Sequence, residues 1–266
     1  MNIHLENRVA LITGGSKGIG NAMARHLGQA GARLVICARH AQGLNEAHAL
    51  LESQGFEVLS VVADVSVPQD IDALVEAAHA RFGRVDMLIN NAVSSSQNTF
   101  DALSDEEWRH HIDVKLMGYI RCARAVLPHM KSQAWGRIVN IVGITARDVS
   151  AYRMTNGVVN AGVTNFTKHL AEQVGAFGVT VNAIHPGYTW TPRLESALEK
   201  WAALEGMSVE QVKALRLKEI PIGRFIQPQD LAQLAVFLCS DAAGAITGQA
   251  IAVDGGSGRA IPYRIQ

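Results

Sequence analysis

Seven short runs of β-branched and other apolar residues recur along the chain: "RVALIT", "RLVICA", "FEVLSVVAD", "VDMLIN", "GRIVNIV", "GVTVNAI" and "QAIAVDGG". Each is nearly continuous in apolar residues, a pattern that suits a parallel strand covered on both faces. Between them lie segments such as "PQDIDALVEAAHARFG", with apolar positions at helical spacing and a proline at the start. Seven strands interleaved with six or so helices predict a doubly wound α/β fold, a single Rossmann-like domain over residues 1–266 with a seven-stranded parallel sheet. With 48% hydrophobic and 18% charged residues, the chain can fill a large core and is a poor candidate for disorder.

One segment breaks the alternation. Residues 191–221, containing "TPRLESALEKWAALEGMSVEQVKALRLKEI", read as charged helix with no strand of its own. Ligands of such sheets bind beyond the carboxyl ends of the strands, where this insertion begins, so it is expected to form a helical lid over the substrate.

Several function classes are disfavoured. Lys+Arg and Asp+Glu both number 24, which removes the electrostatic case for nucleic acid or an anionic membrane as partner. No apolar run approaches the roughly 18 residues of a membrane span, and "MNIHLENRVALITGG" lacks the layout of a signal peptide. Cys37, Cys122 and Cys239 are odd in number and lack ligand spacing, consistent with a reduced, cytoplasmic protein. Adjacent His110 and His111 would point apart on a helix, and no metal site is expected.

The phosphate-binding signal is "VALITGGSKGIG", a strand, a glycine-rich turn and a helix in succession. Gly14, Gly18 and Gly20 permit a tight turn, close approach of a pyrophosphate and close packing of helix on strand. Ser16, Lys17 and Ile19 share that turn, and the helix N-terminus behind it offers free N–H groups. After the second strand, where a carboxylate would select NAD, the chain has Ala38 and Arg39. Arg39 can make a charge-assisted contact with a 2′-phosphate, and Lys17 adds a second cation. NADP(H) is therefore expected over NAD(H).

Together with that turn, "ADV", "NNA", "HPGYTWTP", "PIGRF" and "ITGQAIAVDGG" follow in order, and the chain resembles the short-chain dehydrogenase/reductase superfamily, in the style of its 3-oxoacyl-ACP-reductase-like members. The resemblance covers essentially the whole chain and implies a homotetramer or homodimer. It also implies that Asp64 and Val65 hold the adenine, that Asn91 and Ala92 line the adenosine side, and that Pro186, Gly187, Thr189 and Thr191 meet the nicotinamide. Family enzymes use an Asn, a Ser, a Tyr and, four residues after the Tyr, a Lys that lowers the phenol pKa.

In this chain Tyr152 keeps the tyrosine, whereas Lys115 stands at the Asn position, Gly143 at the Ser position and Asn156 at the Lys position. The stretch from Gly143 to Tyr152 is also about four residues shorter than the resemblance implies. The expectation is an exchange, with Lys115 supplying the cation beside Tyr152 and Asn156 bonding the ribose. The alternative is a decayed site with Lys115 solvated. Thr145, two residues past Gly143, is the candidate for the missing serine if the strand continues, and Ser150 is a weaker one. Val93 narrows the floor, and Tyr188 and Trp190 are expected to shape a partly apolar substrate pocket. His185 and "SSSQN" (94–98) are expected to be structural.

The leading function is an NADP(H)-dependent oxidoreductase interconverting a carbonyl and an alcohol, with Tyr152 as general acid/base. Its rivals are a non-redox enzyme on the same scaffold and a catalytically silent NADP(H)-binding protein.

Overall fold

The apolar runs become β1 (Val9–Thr13), β2 (Arg33–Ala38), β3 (Val58–Val62), β4 (Met87–Asn90), β5 (Gly136–Ile141), β6 (Val179–Pro186) and β7 (Ala250–Val253) in a computed structural model that describes residues 3–94, 96–149 and 152–258. They pair in parallel as one sheet in the order β3-β2-β1-β4-β5-β6-β7. The order follows from right-handed crossovers, which wind outward from β1 in one direction and then from β4 in the other.

Successive strand residues serve opposite faces. Ala10 and Ile12 of β1 pack with helices α1 (Gly18–Gln29), α2 (Ala41–Ser53) and α9 (Pro228–Leu238), through Met23, Leu44 and Leu231 among others. Val9 and Leu11 face the other way, onto α3 (Pro68–Phe82), α5 (Gly118–Ser132) and α6 (Met154–Val174), through Leu74, Val126 and Leu170. Local signals agree with this packing: α3 opens on Pro68 and is closed by Gly83 in the left-handed conformation, φ 75°.

The described helices outnumber the six or so expected. One reason is the connection before β5, which divides into α4 (Asp105–His111), a π-helical turn (Ile112–Met117) and α5. Ser104 and Glu107 form a capping box at the start of α4. The second reason is the insertion, which folds as α7 (Pro192–Glu205) and α8 (Val209–Lys218). These pack on each other through their own cluster, including Leu198, Trp201, Val212 and Phe225. Among the described residues no helix is long and apolar enough to cross a membrane. Cys37, Cys122 and Cys239 are buried free thiols, and burial pushes the Cys37 thiol up to about 12.

Candidate active site

The strand order reverses between β1 and β4, where a crevice opens beyond the carboxyl ends of the strands. The turn after β1 frames it. A Cβ on Gly20 would lie 2.3 Å from the Gly14 carbonyl oxygen and 2.5 Å from Asn91 Nδ2, so only glycine lets α1 pack this closely on the turn. Gly14 and Gly18 have φ of 65° and 57°, and Lys17, at the N-cap of α1, uses no side chain to cap it. Ser16 and Ile19 are half-buried on the same turn, and Ile19 reaches the pocket.

The opposite wall is tied to this turn by hydrogen bonds. Asn91 Nδ2 donates to the carbonyls of Thr13 and Gly14 at 3.0 and 3.1 Å, and the backbone N–H groups of Asn91 and Ala92 donate to Thr13 Oγ1. The Asn91 amide therefore holds the crevice open from behind. At the far end, Arg39 is exposed just after β2, close enough to help Ser66 hold the Asp64 carboxyl below its ordinary range against the opposing effect of burial. Val65 is buried against Gly118.

At the chemical end, β5 stops at Ile141, so the strand does not carry on to Thr145. Thr145 lies instead in a short 3-10 turn, buried, with its hydroxyl accepting from Asn160 Nδ2 at 2.7 Å, and it is not among the pocket-lining residues. Gly143 has φ 149°, and a Cβ there would meet Asn160 Nδ2 at 2.7 Å. A serine at 143 would be strained and would collide with that amide. Ser150 lies outside the described residues.

The tyrosine and the lysine stand differently to the pocket. Tyr152 sits in a turn two residues before α6, with its carbonyl accepting from the Asn98 N–H at 3.1 Å, and it is not among the described residues that line the pocket. The pair one helical turn apart that does line the pocket is Asn156 and Asn160. Lys115 also lines it, carried on the π-helical turn, a geometry that is rare in helices and frequent at functional sites. Lys115 is only 6% exposed, so it is not a solvated helix residue, and Nζ donates to the Val142 carbonyl at 2.7 Å. Burial first, then the Arg193 and Arg153 guanidinium groups, hold its ammonium well below the usual lysine range.

The remaining wall comes from β6, the loop after it and α7. Pro186, Gly187, Thr189 and Thr191 all line the pocket, although the Thr191 hydroxyl also caps α7 by accepting from the Leu194 N–H. Val93 and Tyr188 line it as expected. Trp190 is not among the lining residues and stacks on Phe225, ring centroids 5.3 Å apart. Ser94 and Gln97 do reach the wall, so "SSSQN" contributes more than a plain connection. His185 is buried, and burial followed by Arg147 and Lys115 pushes it down to about 4.

These features can be set beside known proteins. A family model described as Enoyl-(Acyl carrier protein) reductase matches residues 14–258. The chain belongs to the short-chain dehydrogenase/reductase superfamily. It is 34% identical over 252 residues to 3-oxoacyl-(acyl-carrier-protein) reductase FabG of Pseudomonas aeruginosa, covering 95% of this chain and 98% of that protein. An actinorhodin polyketide ketoreductase variant, solved with NADPH, superposes with a TM-score of 0.92 at 35% identity, over 95% of this chain and 97% of the other. L-Sorbose reductase of Gluconobacter frateurii, solved with NADPH and L-sorbose, also gives 0.92, at 34% identity over 98% and 100% of the two chains. These similar dehydrogenase/reductase members are oxidoreductases.

Several lining residues were not picked out from the sequence, among them Arg153, Arg193 and Asn160. Arginines on a neutral chain give no signal until folding gathers them. Asn160 did leave one, because the shortfall of about four residues between Gly143 and Tyr152 is one helical turn, the offset from Tyr152 to Asn156.

Proposed function

We propose that this chain is an NADP(H)-dependent oxidoreductase interconverting a carbonyl and an alcohol, with Lys115 rather than Tyr152 as the group that carries the proton. The observation behind the change is the buried Lys115 amine at the pocket that Asn156 also lines, while Tyr152 stands outside the lining. We infer that Asn156 and Asn160 occupy the places of the family's Tyr and Lys. Both line the pocket from one helix face, Asn160 abuts Gly143, and the apparent shortening of the chain disappears in that register.

The residues present suit a dinucleotide. The glycine cradle would be filled by any Cβ, and the Asn160 Oδ1 is buried without a donor, a fit for a ribose hydroxyl. Gly14, Ser16, Lys17, Gly18, Ile19 and Gly20 would hold the phosphates, and Arg39 with Lys17 the 2′-phosphate. Asp64, Val65, Asn91 and Ala92 would flank the adenosine, and Pro186, Gly187, Thr189 and Thr191 the nicotinamide. When bound, the nicotinamide supplies the hydride equivalent that reduces the carbonyl carbon.

The protein's own part is positioning and proton transfer. Val142 O accepts one Lys115 N–H and fixes the amine, leaving its other protons for the substrate oxygen. Asn156 Nδ2 offers a second, neutral donor to the same oxygen. An amine whose ammonium is held well below the usual range gives up its proton more readily than an exposed lysine, which is what a general acid near neutral pH requires. The α7–α8 pair would serve as the lid, and a homotetramer or homodimer in the cytoplasm belongs to the same reading.

Gly143, Asn156 and Asn160 favour one rival, a protein that binds NADP(H) without redox turnover. A carbonyl-substrate screen following NADPH consumption separates the two. Substrate-dependent consumption that disappears in Lys115→Met while NADPH binding persists is the expected result. Consumption that survives in Lys115→Met removes Lys115 from the mechanism, and no consumption with any carbonyl favours the silent binder.

A further inference from the structure

The chain as a whole is neutral, yet its pocket is not. Lys115, Arg153 and Arg193 face one cavity, and no Asp or Glu is among the described residues that line it. Neither Lys115 nor Arg153 takes part in an ion pair among the described residues, and no carboxylate figures among the charges that act on either. Arg153 Nε is buried without an acceptor, and its guanidinium carbon lies 5.9 Å from the Trp201 ring centroid of α7. The acid behind this wall is already engaged: Glu219 accepts from Tyr188 Oη at 3.0 Å and from Arg216 Nη1 at 2.8 Å.

Cations gathered at a partly desolvated cavity repel one another and lose hydration. Burial acts first, and Arg193 and then Arg153 lower Lys115, while Arg193 itself stays exposed at the rim. An incoming anion reverses both costs, and a planar carboxylate matches the fork of a guanidinium. Leu194, Ala197 and Trp201 supply an apolar wall for the body of such a ligand.

We propose that the substrate is a small carboxylate-bearing carbonyl compound or its alcohol, with the carboxylate seated on Arg153 and Arg193 and the carbonyl oxygen turned toward Lys115. This rests on the oxidoreductase reading for the reaction itself. In the reducing direction the carbonyl gains a hydride equivalent from NADPH and a proton from Lys115, NADPH is oxidised to NADP+, and the carboxylate is unchanged. Its charge also favours the protonated form of Lys115, so binding of the substrate equips the site with the proton it will transfer.

The test is calorimetric titration of protein saturated with NADP+, in which an oxo acid binds but cannot be reduced. Acetoacetate and levulinate are compared with their methyl esters, in the parent chain and in Arg153→Leu, Arg153→Lys and Arg193→Gln. Charge-assisted hydrogen bonds of this kind correspond to about 10–100-fold in affinity. The acids should bind by that factor more tightly than the esters. The advantage should vanish in Arg153→Leu and partly return in Arg153→Lys, with NADP+ affinity within about twofold of the parent.

Esters binding as well as acids, or an Arg153→Leu variant that keeps the preference, would overturn the proposal. If Arg193→Gln weakens NADP+ and not the acid, the anion at Arg193 is the cofactor's diphosphate, and the two-arginine seat is wrong. Acid binding that depends on Arg153, with no turnover of any carbonyl, would leave this inference standing and remove the oxidoreductase reading. Turnover of neutral ketones that ignores Arg153 would do the reverse.

Discussion

At the turn after β1 the cleft is shaped by backbone and by missing side chains, whereas beyond β5 and at the start of α6, Gly143 apart, it is shaped by side chains. The two regions tolerate change differently. At Gly20, even a methyl group would overlap the Gly14 carbonyl, so the position is dictated by packing. At 156 the helix needs only a residue that fits its face, whereas at 160 the buried amide is also held by its hydrogen bond to Thr145 Oγ1. The glycine turn is thus retained, while in the register proposed above Lys115, Gly143, Asn156 and Asn160 stand where the family's chemical groups would be. Binding and chemistry come apart because they rest on different parts of the chain.

The broadest effect, on stability and cofactor binding together, is expected where backbone leaves no room. Gly20→Ala should destabilise the protein by about 1–3 kcal/mol, the usual range for overpacking. It should also weaken NADPH roughly a hundredfold by pushing α1 and its N–H groups away from the phosphates. Thermal melts and NADPH titration measure both. A variant that binds NADPH like the parent would show that the turn has slack, and the contrast between the two regions would lose its basis.

Next comes the side-chain region. Lys115→Met should lower turnover by about 10²–10⁴, the usual worth of a positioned general acid, with NADPH affinity nearly unchanged. The sign of the pH dependence follows from the role. Reduction needs Lys115 protonated, so the rate holds at low pH and declines as pH rises through the lysine pKa. Oxidation needs the free amine and rises through the same value. Because burial and the Arg193 and Arg153 guanidiniums lower that pKa, the limb should lie well below the lysine value of 10.5. A limb at the ordinary lysine value, or one that survives in Lys115→Met, assigns the proton to another group.

How far the sequence could be read follows the same division. The sheet was legible because each strand must be apolar on both faces, and the strands appeared at all seven runs. The glycine turn was legible because its spacing encodes backbone geometry. At the chemical end Tyr152 stands ahead of α6 while Asn156 and Asn160 line the pocket from within it, which is why we propose a register one helical turn further on. A loop of altered length hides the offset, and only the helix boundary reveals which residues share a face. Arg153 and Arg193 could not be found at all, being separated by 40 positions and brought together by the return of the chain from β6 into α7.

A smaller effect is expected at the adenosine end. Arg39 is exposed, so its contact with a 2′-phosphate would be partly screened. Arg39→Ala should reduce the preference for NADPH over NADH by about tenfold and leave NADH binding in place. Unchanged discrimination would move the 2′-phosphate contact to Lys17, which Lys17→Ala then tests by the same titration.

The smallest change is expected at Tyr152. If the residues lining the pocket carry the chemistry, Tyr152→Phe removes only a hydroxyl in a turn ahead of α6, and turnover should stay within about twofold of the parent. The variant is the cleanest discriminator because Phe keeps the ring and its packing. A loss of the 10²–10⁴ due to a general acid would mean that the turn carrying Tyr152 swings its hydroxyl into the pocket during the reaction. Lys115 would then serve as the cation beside it, as the exchange of Lys and Asn first suggested. Solving the complex with NADP+ and an oxo acid would separate the two cases by one distance. In the first, Lys115 Nζ lies within hydrogen-bond reach of the substrate oxygen; in the second, Tyr152 Oη does.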